Sequence, residues 1–240
     1  MKAPFKSLLA GAIPVALLGA VLTIGAVARG DAEGAVKIPA PAVDEAATGN
    51  GLETTVFAGG CFWGVQAVFE HVKGVESAVA GYAGGTLPNP TYEQVGGEDT
   101  GHAESVKITF DPKQVSYGTL LHIFFSVVMD PTEKNYQGPD QGPSYRSAVF
   151  TMSDEQKKVA DAYVAQLDSA KVFPARIVTE VTPYTNFYQA ENYHQDNGIT
   201  LKVNAGYVEM FDVQKVADLK SYFPSVWQEK PVLVFASNAS

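Results

Sequence analysis

Cysteine is almost missing from this chain: Cys61 is the only one in 240 residues. An internal disulfide is therefore excluded. Histidine is also scarce, four in all and in no tight cluster. The ligand pairs that can be drawn, His102-Ala103-Glu104 and Glu191-x-x-His194, argue only weakly for a metal, and none is expected. No cluster of Lys and Arg can track a phosphate backbone, so nucleic acid is not an expected partner. Charged residues make up only 18% against 46% apolar, a globular rather than a disordered balance. The net charge of −9 says no more than that the protein should stay in solution. No internal repeat is present.

One long hydrophobic run is there, and it sets the expected compartment. Lys2 and Lys6 precede an apolar stretch over about 8–28, and Ala26-Val27-Ala28 offers the small-x-small pattern cut by a signal peptidase. This is the layout of a secretory signal peptide over 1–28, so the protein is expected to be exported, to a periplasm. The alternative is an uncleaved anchor in the inner membrane, facing the periplasm, because the run is about long enough to span a bilayer. No cysteine near the cleavage site allows a lipid anchor, and no twin arginine precedes the run. Residues 29–51 are rich in Ala, Pro, Gly and Asp without periodicity, which reads as a flexible linker. One domain is expected over 52–232, large enough for a core without disulfides, followed by a tail over 233–240.

A lone cysteine in an exported protein is either buried and inert or kept for its reactivity. Its neighbours favour the second. A β-type run, Thr54-Thr55-Val56-Phe57-Ala58, is broken by Gly59-Gly60. Phe62, Val65, Phe69 and Val72 then recur at helical spacing, with Gly74 as the stop. Cys61 is thus expected in the first helical turn, where unpaired N–H groups favour a thiolate.

Further along, 75–82 reads as a strand. In 101–110, Val106, Ile108 and Phe110 alternate with Ser105, Lys107 and Thr109. Glu104 falls in register with the apolar set. A carboxyl on that face is protonated, paired or functional, unless the strand end has already reached solvent. Residues 116–128 read as an apolar helix, 146–151 and 176–181 as strands, and about 212–223 as an amphipathic helix. Ser153-Asp154-Glu155-Gln156 reads as a capping box opening a helix with Val159, Tyr163 and Leu167 inward. Strands alternating with helices, some joined by short turns, predict an α/β (α+β) two-layer sandwich on a mixed sheet.

With these segments in place, the sequence resembles the A-type peptide-methionine sulfoxide reductases over about 56–205. The motifs that carry the resemblance are Gly60-Cys61-Phe62-Trp63-Gly64, Ala80-Gly81-Tyr82-Ala83-Gly84-Gly85, Pro88-Asn89-Pro90-Thr91-Tyr92, Thr100-Gly101-His102-Ala103-Glu104, Tyr145-Arg146-Ser147 and Phe187-Tyr188-Gln189-Ala190-Glu191-Asn192-Tyr193-His194-Gln195. They occur in the family's order. The resemblance implies a ferredoxin-like core with a long irregular C-terminal segment. It implies that Cys61 is the nucleophile on the sulfoxide sulfur and that Glu104 protonates the leaving oxygen. Tyr92 and Tyr145 hydrogen-bond that oxygen, and Asp140 belongs to the polar network near the acid. Phe62 and Trp63 form an apolar wall for the S-methyl group. Gly60, Tyr82 and His194 are carried over as substrate-binding positions. The implied substrate is the S epimer of methionine sulfoxide, in proteins or free, and the implied role is repair after oxidation. No cofactor is expected to be bound.

The sequence departs from the family where many members carry resolving cysteines: Asn204-Ala205-Gly206-Tyr207-Val208-Glu209-Met210 has none. The Cys61 sulfenic acid must then be reduced from outside, by a thioredoxin-like protein or a glutathione-type thiol. Met129 and Gln189 stand where histidine and proline are more usual. Two other readings compete. One is a cysteine acyl-transferase or hydrolase with His102 or His194 as base. The other is a tethered domain binding methionine-rich partners through Phe62 and Trp63, which on pattern alone read as core aromatics. Nothing in the spacing demands an oligomer, and a monomer is expected.

Overall fold

The computed structural model describes residue 1 and residues 34–46 and 51–235. The expected signal peptide or anchor lies outside the described residues. Among those described, no helix is long and apolar enough to cross a membrane.

The chain order is β1 (Glu53–Gly59), α1 (Phe62–Glu70), β2 (Val75–Ala83), α2 (Tyr92–Val95), β3 (Ala103–Phe110), α3 (Tyr117–Ile123), a π-helical turn (Phe124–Val128), β4 (Tyr136–Gln137), β5 (Asp140–Gln141), a 3₁₀ turn (Pro143–Tyr145), β6 (Ser147–Thr151), α4 (Asp154–Ala170), β7 (Glu180–Pro183), β8 (Phe187–Gln189), α5 (Asn197–Thr200), α6 (Ala205–Phe211) and α7 (Val213–Tyr222). Six strands form one sheet, ordered β7-β6-β1-β3-β2-β8. All neighbours are antiparallel except β6 and β7. Within it, β1-α1-β2-β3-α3-β6 with spatial order β6-β1-β3-β2 is the ferredoxin-like arrangement. The expected mixed sheet with flanking helices holds.

Strand alternation decides what is buried. Phe57, Ala78, Ala80, Tyr82, Val106, Ile108 and Phe110 point to one face, against Val65, Val68 and Phe69 of α1 and Leu120 and Leu121 of α3. Each large side chain there contributes about 1.5–3 kcal/mol by leaving water. Among the described residues, the opposite face carries a small cluster around Val56, Ala58, Ala148 and Phe150. Helix starts follow local chemistry. Ser116 and Ser153 accept the N–H groups of Thr119 and Gln156. The Gln156 amide oxygen takes the N–H of Met152 rather than of Ser153, so that box is half formed. A full capping box, unread in the sequence, joins Thr91 and Gln94 at the start of α2.

Several boundaries differ from expectation. The 116–128 helix changes to a π-helical turn at Phe124. The 176–181 strand begins only at Glu180, because its pairing with β6 starts there, opposite Ala148. The flexibility expected of 29–51 does not hold for 34–46. Val36 exchanges two hydrogen bonds with Ser126 (2.8 and 2.6 Å), Pro39 accepts from the Tyr163 hydroxyl, and Ile38 is buried. Nor are 233–235 a free tail: the N–H groups of Val234 and Phe235 both reach Asp196.

Asp44 completes this docking by accepting from Ser116 Oγ at 2.6 Å and from the Gly118 N–H at 2.7 Å, at the start of α3. Asp44→Ala should therefore lower unfolding stability by about 1 kcal/mol, the usual worth of a helix cap. A denaturant titration checks this; an unchanged midpoint would mean that the segment is not docked in solution.

Candidate active site

The strand-to-helix turn after β1 builds the site. Gly60 has φ +85°, and a Cβ there would lie 2.7 Å from the Gln137 Cβ. Only glycine fits that backbone and that contact. The chain reverses, and Cys61 becomes the N-cap residue of α1, just ahead of the first-turn place expected for it. Phe62 and Trp63 follow at once.

Glu104 reaches the same point from β3, opposite Tyr82 in the β2–β3 register. It is 3% exposed, on the face shared with Val106, Ile108 and Phe110. It therefore lies inside rather than at a solvated strand end. Its Oε2 accepts the Phe62 N–H at 3.0 Å, which ties acid and nucleophile segment together.

Cys61, Phe62, Trp63, Tyr92, Glu104, Asp140, Tyr145, Asn204 and Tyr207 line one cleft of about 130 Å³. Of the expected site residues, Gly60, Tyr82 and His194 are not on its surface. Gly60 shapes the turn. The Tyr82 hydroxyl donates to Glu191 at 2.8 Å, and His194 is buried against the rings of Phe62, Trp63 and Tyr92.

Electrostatics correct one expectation. The Trp63 N–H does favour a Cys61 thiolate, as a helix start should. Burial of the sulfur surroundings, then the Glu104 and Asp212 carboxyls, outweigh it and push the thiol well above its usual value. Part of Cys61 is open to the cleft, yet protein fills the space around its sulfur. Cys61 therefore rests as a thiol. Burial likewise raises Glu104 to about 8, against the lowering effect of the Phe62 N–H and with help from Asp140. Burial and Glu104 hold the Tyr92 phenol up at about 12 and Tyr145 higher still. Both stay O–H donors at any working pH.

Some contributors were not picked out in the sequence. The Tyr207 hydroxyl hydrogen-bonds Asp140 Oδ2, closing the cleft from α6. Glu98 accepts from both the N–H and the hydroxyl of Ser144, at 2.8 and 2.6 Å, anchoring the loop with Asp140 and Tyr145. Glu191, read in the sequence only as half of a weak metal-ligand pair and as part of a family motif, accepts from the Tyr92 N–H at 2.9 Å as well as from Tyr82. Asp212 is buried beside Gly64, close to Lys215 at 3.9 Å. Glu98 meets Ser144, and Tyr207 meets Asp140, from distant parts of the chain, so no local pattern marks them.

The arrangement puts a thiol, a protonated carboxylic acid and two phenols around a small space with an aromatic wall. It suits attack on an electrophilic centre whose oxygen needs a proton. It does not suit acyl transfer, because neither histidine serves as base to Cys61. His102 uses both ring nitrogens, on the Gly85 N–H and the Leu87 carbonyl. His194 Nδ1 accepts from Trp63 Nε1.

Known proteins agree with this chemistry. A family model described as peptide methionine sulfoxide reductase matches residues 53–225. A "Peptide methionine sulfoxide reductase MsrA 2" of Mesorhizobium japonicum is 54% identical over 188 residues, covering 78% of this chain and 96% of that one. The chain is also similar in structure to Mxr1 from Saccharomyces cerevisiae in reduced form (32% identity, 61% of this chain, 83% of that one, TM-score 0.54). The same holds for methionine sulfoxide reductase A of Corynebacterium diphtheriae (31% identity, 69% and 86%, TM-score 0.54).

Proposed function

The chain belongs to the peptide methionine sulfoxide reductase family, and from that premise we propose that it repairs the S epimer of methionine sulfoxide in exported proteins by a one-cysteine cycle. The observation that carries this reading is Glu104: a buried carboxyl with its pKa at about 8, in one cleft with Cys61, Tyr92 and Tyr145.

The substrate's S-methyl group lies against Phe62 and Trp63, and its oxygen points to the phenols and to Glu104. The Cys61 sulfur bonds to the sulfoxide sulfur while Glu104 gives its proton to the oxygen. The thiol's own proton restores Glu104. The oxygen then passes from the substrate sulfur to the Cys61 sulfur: the substrate S–O bond and the bond between the two sulfurs break as the Cys61 S–O bond forms, leaving methionine and a Cys61 sulfenic acid. The methionine sulfur is reduced by two electrons and the cysteine sulfur oxidised by two. Reversing the positions of methyl and oxygen would set an apolar group on the acid and the oxygen on the aromatics, which disfavours the R epimer.

The second half uses an outside thiol. Val208, in the segment where many family members hold a resolving cysteine, is buried in the core. An external thiol condenses with the sulfenic acid, releasing water and leaving a mixed disulfide. A second thiol frees Cys61 and departs as the disulfide. A thioredoxin-like protein supplies both thiols from one molecule, and a glutathione-type thiol supplies them from two. The polar Lys2 and Lys6 flank and the apolar run that follows support export to a periplasm, with a retained inner-membrane tether as the variant of this reading. We take the working unit to be a monomer.

Steady-state assays with each epimer of a methionine sulfoxide peptide and excess dithiothreitol test the activity. The S epimer should be consumed over many turnovers and the R epimer left. Equal consumption of both would end the reading of the cleft's walls. Cell fractionation with a cytoplasmic marker tests export; the chain co-purifying with that marker would refute it.

A further inference from the structure

The Glu191-x-x-His194 pattern has a use that neither a metal nor a catalytic base accounts for. His194 is 1% exposed and is not on the cleft surface. Its Nδ1 lies 3.1 Å from Trp63 Nε1. An indole nitrogen can only donate, so Nδ1 must hold a lone pair, and the ring proton must sit on Nε2. Burial keeps the ring neutral, with its pKa down at about 4.

The imidazole is also packed on every side that matters to the cleft. Its centroid lies 5.1 Å from Phe62, 5.8 Å from Trp63, 4.4 Å from Tyr92 and 4.1 Å from Tyr193. The turn that carries it is closed by the His194 N–H on the Glu191 carbonyl, and the Glu191 carboxylate holds the Tyr92 N–H. One turn thus touches the apolar wall through Trp63 and the polar wall through Tyr92.

We propose that His194 is a positioning residue: by accepting the indole N–H it fixes Trp63, and with it the gap between the wall that takes the methyl group and the phenols that take the oxygen. The inference rests on the function proposed above. A displacement of about 1 Å at such a wall is enough to cost up to 10²-fold.

The test is a double-mutant cycle in the full chain, read by steady-state kinetics on the S epimer of a methionine sulfoxide peptide. His194→Leu, which cannot accept the N–H, should lower kcat/KM about 10- to 30-fold, most of it in KM. His194→Asn, whose amide oxygen stands where Nδ1 does and can accept it, should recover to within about threefold of the native value. In a Trp63→Phe background, which keeps the ring and loses the N–H, adding His194→Leu should cost no more than about twofold further. If leucine fails to fold, alanine, which has no acceptor, takes its place in every arm. A full and additive loss in the Trp63→Phe background would overturn the proposal, as would asparagine no better than leucine.

A second readout needs no turnover. With Trp227→Phe, Trp63 is the only indole of the chain. Its emission should shift with His194→Leu and return with His194→Asn; an emission blind to both would overturn the proposal. This arm separates the two failures. If the native chain reduces neither epimer, the proposed function falls, and the emission still decides whether His194 holds Trp63.

Discussion

Replacing Cys61 by serine should eliminate methionine formation, a loss of about 10⁴-fold or more. The reason is chemical rather than structural. The oxygen of the sulfoxide must end on a sulfur that can be oxidised, and Cys61 is the only cysteine in the chain. Serine is among the best N-cap residues, and position 61 is the N-cap of α1. The variant should therefore fold as well as the native protein and melt no lower. Chromatographic counting of methionine, with reductant in excess, checks the first half; a thermal melt checks the second. Turnover surviving in a folded Cys61→Ser protein would mean that another group takes the oxygen.

Glu104→Gln should carry the next largest effect, about 10²–10⁴-fold in kcat, because the amide holds the place of the acid but has no proton to give. The pH profile gives the sharper signature. Glu104 is protonated below about 8 and ionised above it, so native kcat/KM should fall as pH rises through that value. The glutamine variant should be slow and flat across the same range. Cys61 does not confuse the reading, since its thiol lies well above its usual value. Stability moves with the same proton. The folded state holds it up to about pH 8, while the unfolded chain releases it near 4.5. The stabilisation by that proton is whole below about pH 4.5 and is lost as pH rises to about 8. Denaturant midpoints of the native chain should therefore decline relative to those of Glu104→Gln over that window. A native profile with no limb near 8 would remove Glu104 as the acid.

Much of this was legible in the chain because it depends on local parity. Glu104 shares the inward face of β3 with Val106, Ile108 and Phe110, and a period of two cannot place it elsewhere while the strand lasts. The position of Cys61 followed from a glycine pair between a β run and a helical run. What was not legible depends on the return of distant segments. The helix-start rule pointed to a thiolate at Cys61. It missed the burial that distant segments impose on the sulfur and, after it, the carboxyls of Glu104 and Asp212, which together reverse the balance. Tyr207 reaches Asp140 from α6, 67 residues further along the chain, where it and Asn204 line the cleft. Residues 34–46 carry no periodicity, since they dock through backbone hydrogen bonds and a borrowed cap rather than through a regular apolar face.

The most direct test of the one-cysteine cycle is a single turnover without thiol. The fully reduced chain is mixed with excess peptide carrying the S or the R epimer, methionine is counted, and the intact mass is taken with and without a sulfenic-acid reagent. The account predicts one methionine per chain from the S epimer, none from the R epimer, and one added oxygen that the reagent captures at Cys61. No methionine from either epimer, or methionine formed with no oxidation at Cys61, would contradict it.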